Sequence, residues 1–303
     1  MEDPDKNNDA ILITGPTASG KSALALQFAR RHDGVVINAD SMQVYNTLRV
    51  VTARPSEAEM GGVRHELYGH VPAGQTYSTG DWLREARVLL ERLKHENRLP
   101  VFVGGTGLYF KALTGGLSEM PAIPAGLRSE IRDRLEIDGT EALHRKLAEV
   151  DPAMAQRLSP GDGQRIVRAL EVFRATGRSI AEFQKQSGPM LVDPDRTLKL
   201  VVLPDRAVLH DRINRRFEQM MDQGAVEEVE ALLSLGLRPE MPAMKAIGVA
   251  QIADMLAGRI TRHEAVERAS AATRQYAKRQ MTWFRNQMDE SWERVDPAVF
   301  RID

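Results

Sequence analysis

Gly15, Pro16, Thr17, Ala18, Ser19, Gly20, Lys21 and Ser22 have the spacing G-x-x-x-x-G-K-[ST], between an apolar run at Ala10–Thr14 and an amphipathic one over residues 23–31. Small residues let the backbone close round oxygen atoms, its N–H groups point inward, and the loop ends at a helix N-terminus with partial positive charge. Lys21 adds a mobile full charge, and Ser22 offers a hydroxyl to a magnesium ion. The strand–loop–helix setting is the one this chemistry requires, so the segment is read as a grip on a phosphate chain. The spacing does not say which one.

In open α/β sheets ligands sit beyond the C-terminal ends of the strands, so the segment after each strand is searched next. Asp40, Ser41, Met42 and Gln43 follow the second apolar run, which places Asp40 beside the phosphate loop, able to help hold magnesium or to take a proton from a nucleophile. An Asp that caps a turn is the plainer reading. Gly104, Gly105, Thr106 and Gly107 follow the third run, where glycines permit close approach and Thr106 can hydrogen-bond a substrate. Arg212 and Arg216, four apart, suit a clamp on a departing diphosphate or surface ion pairs with Asp211 or Glu218. His65 and His70 are isolated and read as structural, and no His cluster has metal-ligand spacing.

The elements that must carry these residues are legible from periodicity. Short β-branched runs at Ala10–Thr14, Val35–Asn38, 101–103 and 198–203 alternate with helical patterns, one of them near 81–90 with Asp81 or Thr79 as its cap. That alternation predicts an α/β fold, a parallel sheet flanked by helices as in P-loop NTPases. From 118 to 194 strand signals vanish, and helices are expected over 127–135, 141–150, 162–176 and 180–186. The expected organisation is a core of residues 1–117 and 195–303, with a helical C-terminal region, interrupted by an inserted all-helical domain at 118–194. After Pro204 an apolar stripe of Val208, Leu209, Ile213, Phe217 and Met220 predicts another helix, and Thr261-x-x-Glu264 opens a last one running to about Met288.

Composition limits the partners. The 303 residues carry 41 Lys and Arg against 42 Asp and Glu, so overall charge does not announce a nucleic-acid binder. Positive charge nevertheless gathers between Arg259 and Arg285, where Arg274 and Lys278 share a stripe suited to a polyphosphate or RNA backbone. Gln164 and Arg168 likewise share a helix face within the inserted stretch. There are no cysteines, and no apolar run is long enough to span a membrane. The polar start, residues 1–9, has no secretory pattern, and a cytoplasmic location is expected.

On spacing alone, an ATP-dependent small-molecule kinase with a helical lid, an RNA-binding nucleotide switch and a transferase all stay open. Taken in order, however, the segments 15–22, 39–45, 104–109, 164–172 and 277–285 resemble the successive motifs of the bacterial tRNA dimethylallyltransferases. The resemblance implies transfer of a dimethylallyl group from dimethylallyl diphosphate to N6 of the adenosine at tRNA position 37. It implies Asp40 as general base, Thr17 and Arg216 on the diphosphate near the reacting centre, and magnesium as cofactor. Contacts with the tRNA anticodon stem-loop are implied for Asp40, Ser41, Met42, Gln43, Thr106, Arg128, Gln164, Arg165, Ile166, Val167 and Arg168. The same holds for Lys245, Ala246, Ile247, Gly248, Val249 and Ala250, and a monomer is expected. Val51, Arg54, Glu66 and Val249 depart from the family pattern, but none lies in the phosphate loop.

Overall fold

The computed structural model describes residues 8–300, so most of the polar stretch before Ala10 lies outside the described residues. In chain order the first half is β1 (Ala10–Thr14), α1 (Lys21–Arg31), β2 (Val35–Asn38), α2 (Glu57–Met60), β3 (His65–Glu66), α3 (Thr79–His95), β4 (Pro100–Gly104) and α4 (Gly107–Gly115). A helical stretch follows: α5 (Ala125–Val150), α6 (Pro152–Arg157), α7 (Gly163–Thr176) and α8 (Ile180–Phe183). The chain then runs through β5 (Thr197–Val202), α9 (Arg206–Asp222), α10 (Ala225–Ser234), α11 (Val249–Leu256), α12 (Arg262–Gln287) and β6 (Glu293–Val295).

The strands pair in the order β3-β2-β4-β1-β5-β6, and every pairing is parallel. β1, β2 and β4 are buried at every position, as strands must be when helices cover both faces. Ile11, Ile13, Val36, Val101 and Val103 pack with Leu24, Ala25 and Phe28 of α1 on one face. Leu12, Ile37 and Phe102 pack with Trp82, Ala86, Leu89 and Leu93 of α3 on the other. The two-residue β3 and three-residue β6 at the sheet edges are too short to show a sequence period.

Strand order brings three chain segments together. β4 lies between β2 and β1, with Asn38 opposite Val103 and Thr14 opposite Gly104, so the chain leaves all three strands at one end of the sheet. The loops beginning at Gly15, Ala39 and Gly105 are therefore neighbours. The Ala39 N–H donates to Val103 O at 2.8 Å, and the Thr106 N–H donates to Ala39 O at 3.2 Å. This seam leaves no room for a side chain on Gly104, whose Cβ would lie 2.0 Å from the Ala39 carbonyl oxygen. Gly104→Ala is expected to destabilise the chain by about 1–3 kcal/mol through overpacking, read as a lower urea midpoint, and an unshifted midpoint would show that the seam yields.

Several details differ from the sequence reading, among them that α8 ends at Phe183 and not at 186. Ser78 caps α3, accepting the Asp81 N–H, while Asp81 returns a bond to the Ser78 N–H; the acidic residue is thus the third helical position of a capping box. Val208 is 43% exposed and leaves the apolar stripe of α9, whose buried face is Leu209, Ile213, Phe217, Met220 and Met221. The box at Thr261 and Glu264 opens α12 as expected.

Two compact units are present: one contains the sheet and resumes at Leu191 after Thr114, and the other is Gly115–Met190. Leu191 and Val192 both donate N–H groups to Leu113 O, which ties the returning chain to the sheet unit a few residues earlier than 194. The Gly115–Met190 unit has its own core, with Ile131, Leu143 and Leu147 of α5 packed on Ile166, Ala169 and Val172 of α7. Gly139, at φ +78°, breaks α5 between the two helices expected there. Among the described residues no helix is long and apolar enough to cross a membrane.

Candidate active site

The phosphate loop leaves β1 at Gly15 and enters α1 through Gly20, whose φ of +95° turns the chain into the helix. Within it the Ser19 N–H donates to Pro16 O at 3.2 Å, and Lys21 Nζ reaches the same oxygen at 3.2 Å. Ser19 Oγ is buried with no hydrogen-bond partner. Such an atom is costly to leave unpaired and suits an oxygen-rich ligand. Ser22 is exposed on the first turn of α1, and Arg212 Nη1 lies 3.5 Å from Ser19 O. The pair with Asp211 is made by Arg215 one helical step on, which leaves Arg212 for the loop.

Asp40 stands at the end of β2. Its N–H donates to Asn38 Oδ1, its Oδ1 accepts the Met42 N–H, and both distances are 2.9 Å. This is the turn geometry of the plainer reading, yet it uses only one carboxylate oxygen. Oδ2 faces the glycine turn after β4, where a Cβ on Gly105 would lie 3.5 Å from it. The electrostatics converge on it. Burial brings the Lys21 ammonium down to about 8, with Asp40 opposing that shift and Arg216 adding to it. Arg216, half-buried on α9, is lowered by burial while Glu59 and Asp40 favour its charge.

Three tyrosines missed as site residues also feel Asp40. Tyr68, Tyr109 and Tyr276 come from separate elements, and burial followed by the Asp40 charge pushes each hydroxyl above its ordinary range. They remain protonated donors at neutral pH. No spacing rule joins them, because the sheet brings them together only after folding.

A family model described as IPP transferase matches residues 43–287, and one described as isopentenyl transferase matches residues 8–69. The chain is 69% identical over 301 residues to a tRNA dimethylallyltransferase of Allorhizobium ampelinum, covering 99% of each. The chain belongs to the tRNA dimethylallyltransferase family. Two solved structures carry the likeness into three dimensions. A full-length tRNA isopentenylpyrophosphate transferase from Bacillus halodurans is 34% identical with a TM-score of 0.67, over 97% of this chain and 92% of that one. A eukaryotic dimethylallyltransferase described as acting on tRNA is 28% identical with a TM-score of 0.81, over 95% and 73%. The fold is accordingly the P-loop NTPase-like one.

The other residues implied by membership in the tRNA dimethylallyltransferases fall into two sets. In the sheet unit, Thr106 Oγ1 accepts the Ser41 N–H at 2.9 Å, and Gln43 Nε2 donates to Thr52 O and Ala53 O. Thr106 is thus partly spent on holding the neighbouring Ser41 loop, and Gln43 on holding its own. Lys245 and Ala250 are exposed, whereas Gly248 is buried and the side chains of Ala246 and Val249 pack the core with residues of α9 and α10. Much of the basic run is paired within the protein: Arg259 with Asp254, Arg262 with Asp222, Arg274 with Asn214. Lys278 is exposed. In the helical unit Arg128, Gln164 and Arg165 are exposed and Arg168 is half-buried, while Ile166 and Val167 lie in the core. His65 and His70 bond Val63 O and Glu85, as structural histidines do.

Proposed function

We propose that this chain transfers the dimethylallyl group of dimethylallyl diphosphate to N6 of the adenosine at position 37 of tRNA. The carrying observation is the placement of Asp40, with one free carboxylate oxygen, in the field of Lys21 and Arg216 beside a phosphate loop. N6 attacks the allylic carbon, the bond from that carbon to the diphosphate oxygen breaks, and Asp40 takes the proton that N6 loses. Lys21, Arg216 and the N–H groups of the loop meet the charge that grows on the departing diphosphate. An allylic carbon tolerates positive charge, so leaving-group stabilisation dominates over forcing the attack. Thr17 lies within the same loop, and Arg212 reaches it from α9.

Magnesium fits this donor set. Among the described residues no group of three His, Cys, Asp or Glu could hold a metal; magnesium, which keeps waters and takes few protein oxygens beside phosphate, needs none. The unpartnered Ser19 hydroxyl and the exposed Ser22 hydroxyl are the oxygen donors of the loop, with Ser22 as the ligand, and the ion would neutralise the leaving diphosphate.

The N6 atom is shielded within a stacked anticodon loop, so the base must leave its stack to reach Asp40. We place the grip on the stem-loop on Gln164, Arg165 and Arg168 of α7, with Arg128, Lys245 and Lys278 as further phosphate contacts. Arg168 is aimed by Glu171, a buried carboxylate 3.2 Å from its Nη1. Arg168→Ala is expected to weaken tRNA binding and to lower the slope of log affinity against log salt by about one phosphate contact. Equal affinities over a salt series would return Arg168 to a purely structural pair. The reading as a whole is tested with labelled dimethylallyl diphosphate, labelled ATP and unmodified tRNA in parallel. Label enters tRNA from the isoprenoid alone; transfer of a γ-phosphate would overturn it. The cytoplasm, where tRNA is modified, is the expected compartment.

A further inference from the structure

Gln280 lies on the buried stripe of α12 with Ala277 and Phe284, and is 6% exposed. A primary amide among apolar residues must find partners for both its ends or lose stability. It finds them in two different loops. Oε1 accepts the Thr17 N–H at 3.0 Å, and Nε2 donates to the Gly105 carbonyl oxygen at 2.9 Å. Reversing the amide would set donor against donor and acceptor against acceptor, so a single orientation satisfies both loops. The approach is so close that a Cβ on Gly105 would lie 2.3 Å from Nε2.

The bridge continues on its far side. Gly105 precedes Thr106, whose Oγ1 accepts the Ser41 N–H, and Ser41 follows Asp40. One buried amide therefore joins the loop that grips the leaving group to the loop that carries the base. We infer that Gln280 is a positioning residue for transfer: it fixes Thr17 and the phosphate loop relative to Asp40, so that the allylic carbon and N6 meet in line. Each amide end is bonded to a loop and the side chain is buried, so Gln280 acts through these loops.

The inference rests on the reading of Asp40 as base, and the variants separate the two. Gln280→Met keeps length and apolar bulk but loses both bonds. Its kcat is expected to fall about 10²-fold, the cost of a misplacement on the order of 1 Å, with tRNA affinity unchanged. Gln280→Glu makes a sharper test. A protonated carboxyl repeats the amide pattern, with C=O accepting from Thr17 and O–H donating to Gly105, whereas its ionised form sets a charge against the Gly105 oxygen. Burial raises the pKa of such a carboxyl, so the kcat ratio of Gln280→Glu to the unaltered chain should climb as pH falls from about 8 to about 6. A flat ratio overturns the inference, as does a Gln280→Met chain with undiminished kcat. Losses that merely track a falling melting temperature overturn it too, since they make Gln280 a packing residue. Asp40→Asn is the independent arm: if that variant turns over normally, the base reading fails whatever the Gln280 variants do.

Discussion

Asp40→Asn is expected to lower kcat for dimethylallyl transfer by about 10²–10⁴-fold while leaving tRNA affinity nearly unchanged. The amide is chosen over alanine because of what Asp40 does for its own loop. Oδ1 accepts the Met42 N–H, and an asparagine oxygen can keep that bond, so the turn survives and only the proton acceptor is lost. Asp40→Ala removes both functions and should add a stability loss to the same kinetic defect. Single-turnover transfer with prebound tRNA isolates the chemical step from binding. An Asp40→Asn chain with normal single-turnover rates would sink the assignment of the base.

The second large effect concerns Lys21 and has opposite signs in binding and stability. With the ammonium lowered to about 8, the free chain loses its proton just above neutrality, whereas a bound diphosphate holds it on. The KM for dimethylallyl diphosphate is therefore expected to rise about tenfold per pH unit above about 8, by linkage. Folding runs the other way. An unfolded lysine keeps its proton until 10.5, so between about 8 and 10.5 the unfolded chain binds more protons, and this group's contribution to stability rises with pH. Both trends should disappear in Lys21→Met, which also binds the diphosphate weakly throughout. A Lys21→Met chain that keeps the steep rise in KM would place the titrating group elsewhere.

How far the site was legible depended on whether its residues are near in sequence. The loop from Gly15 to Ser22 is contiguous, and its strand and helix flank it directly, so composition and order suffice. Asp40 was found because it follows a strand, and a parallel sheet makes that position a rule. The tyrosines at 68, 109 and 276 obey no such rule, since only tertiary packing brings them to Asp40. Gln280 left a faint mark: an uncharged polar residue at helical spacing between buried Ala277 and Phe284. The basic residues beside it on α12 drew the reading toward RNA instead. Surface charge was the least dependable guide, because Arg262 pairs with Asp222, an acid that only the fold places beside it. Burial of Val167 and Val249 was likewise hidden in motifs whose polar neighbours stay exposed.

The position of β1 in the sheet has a consequence for the chain as it is made. One edge of β1 is covered by β4, but the other waits for β5, whose Thr197 pairs with Ala10. Between Gly104 and Thr197 a ribosome must add the whole Gly115–Met190 unit, a delay of about 5–20 s at ordinary elongation rates. For that interval the nascent chain carries an apolar strand with a bare hydrogen-bonding edge. An inserted unit with its own core can fold during the wait, so the growing protein is half assembled while that edge is open.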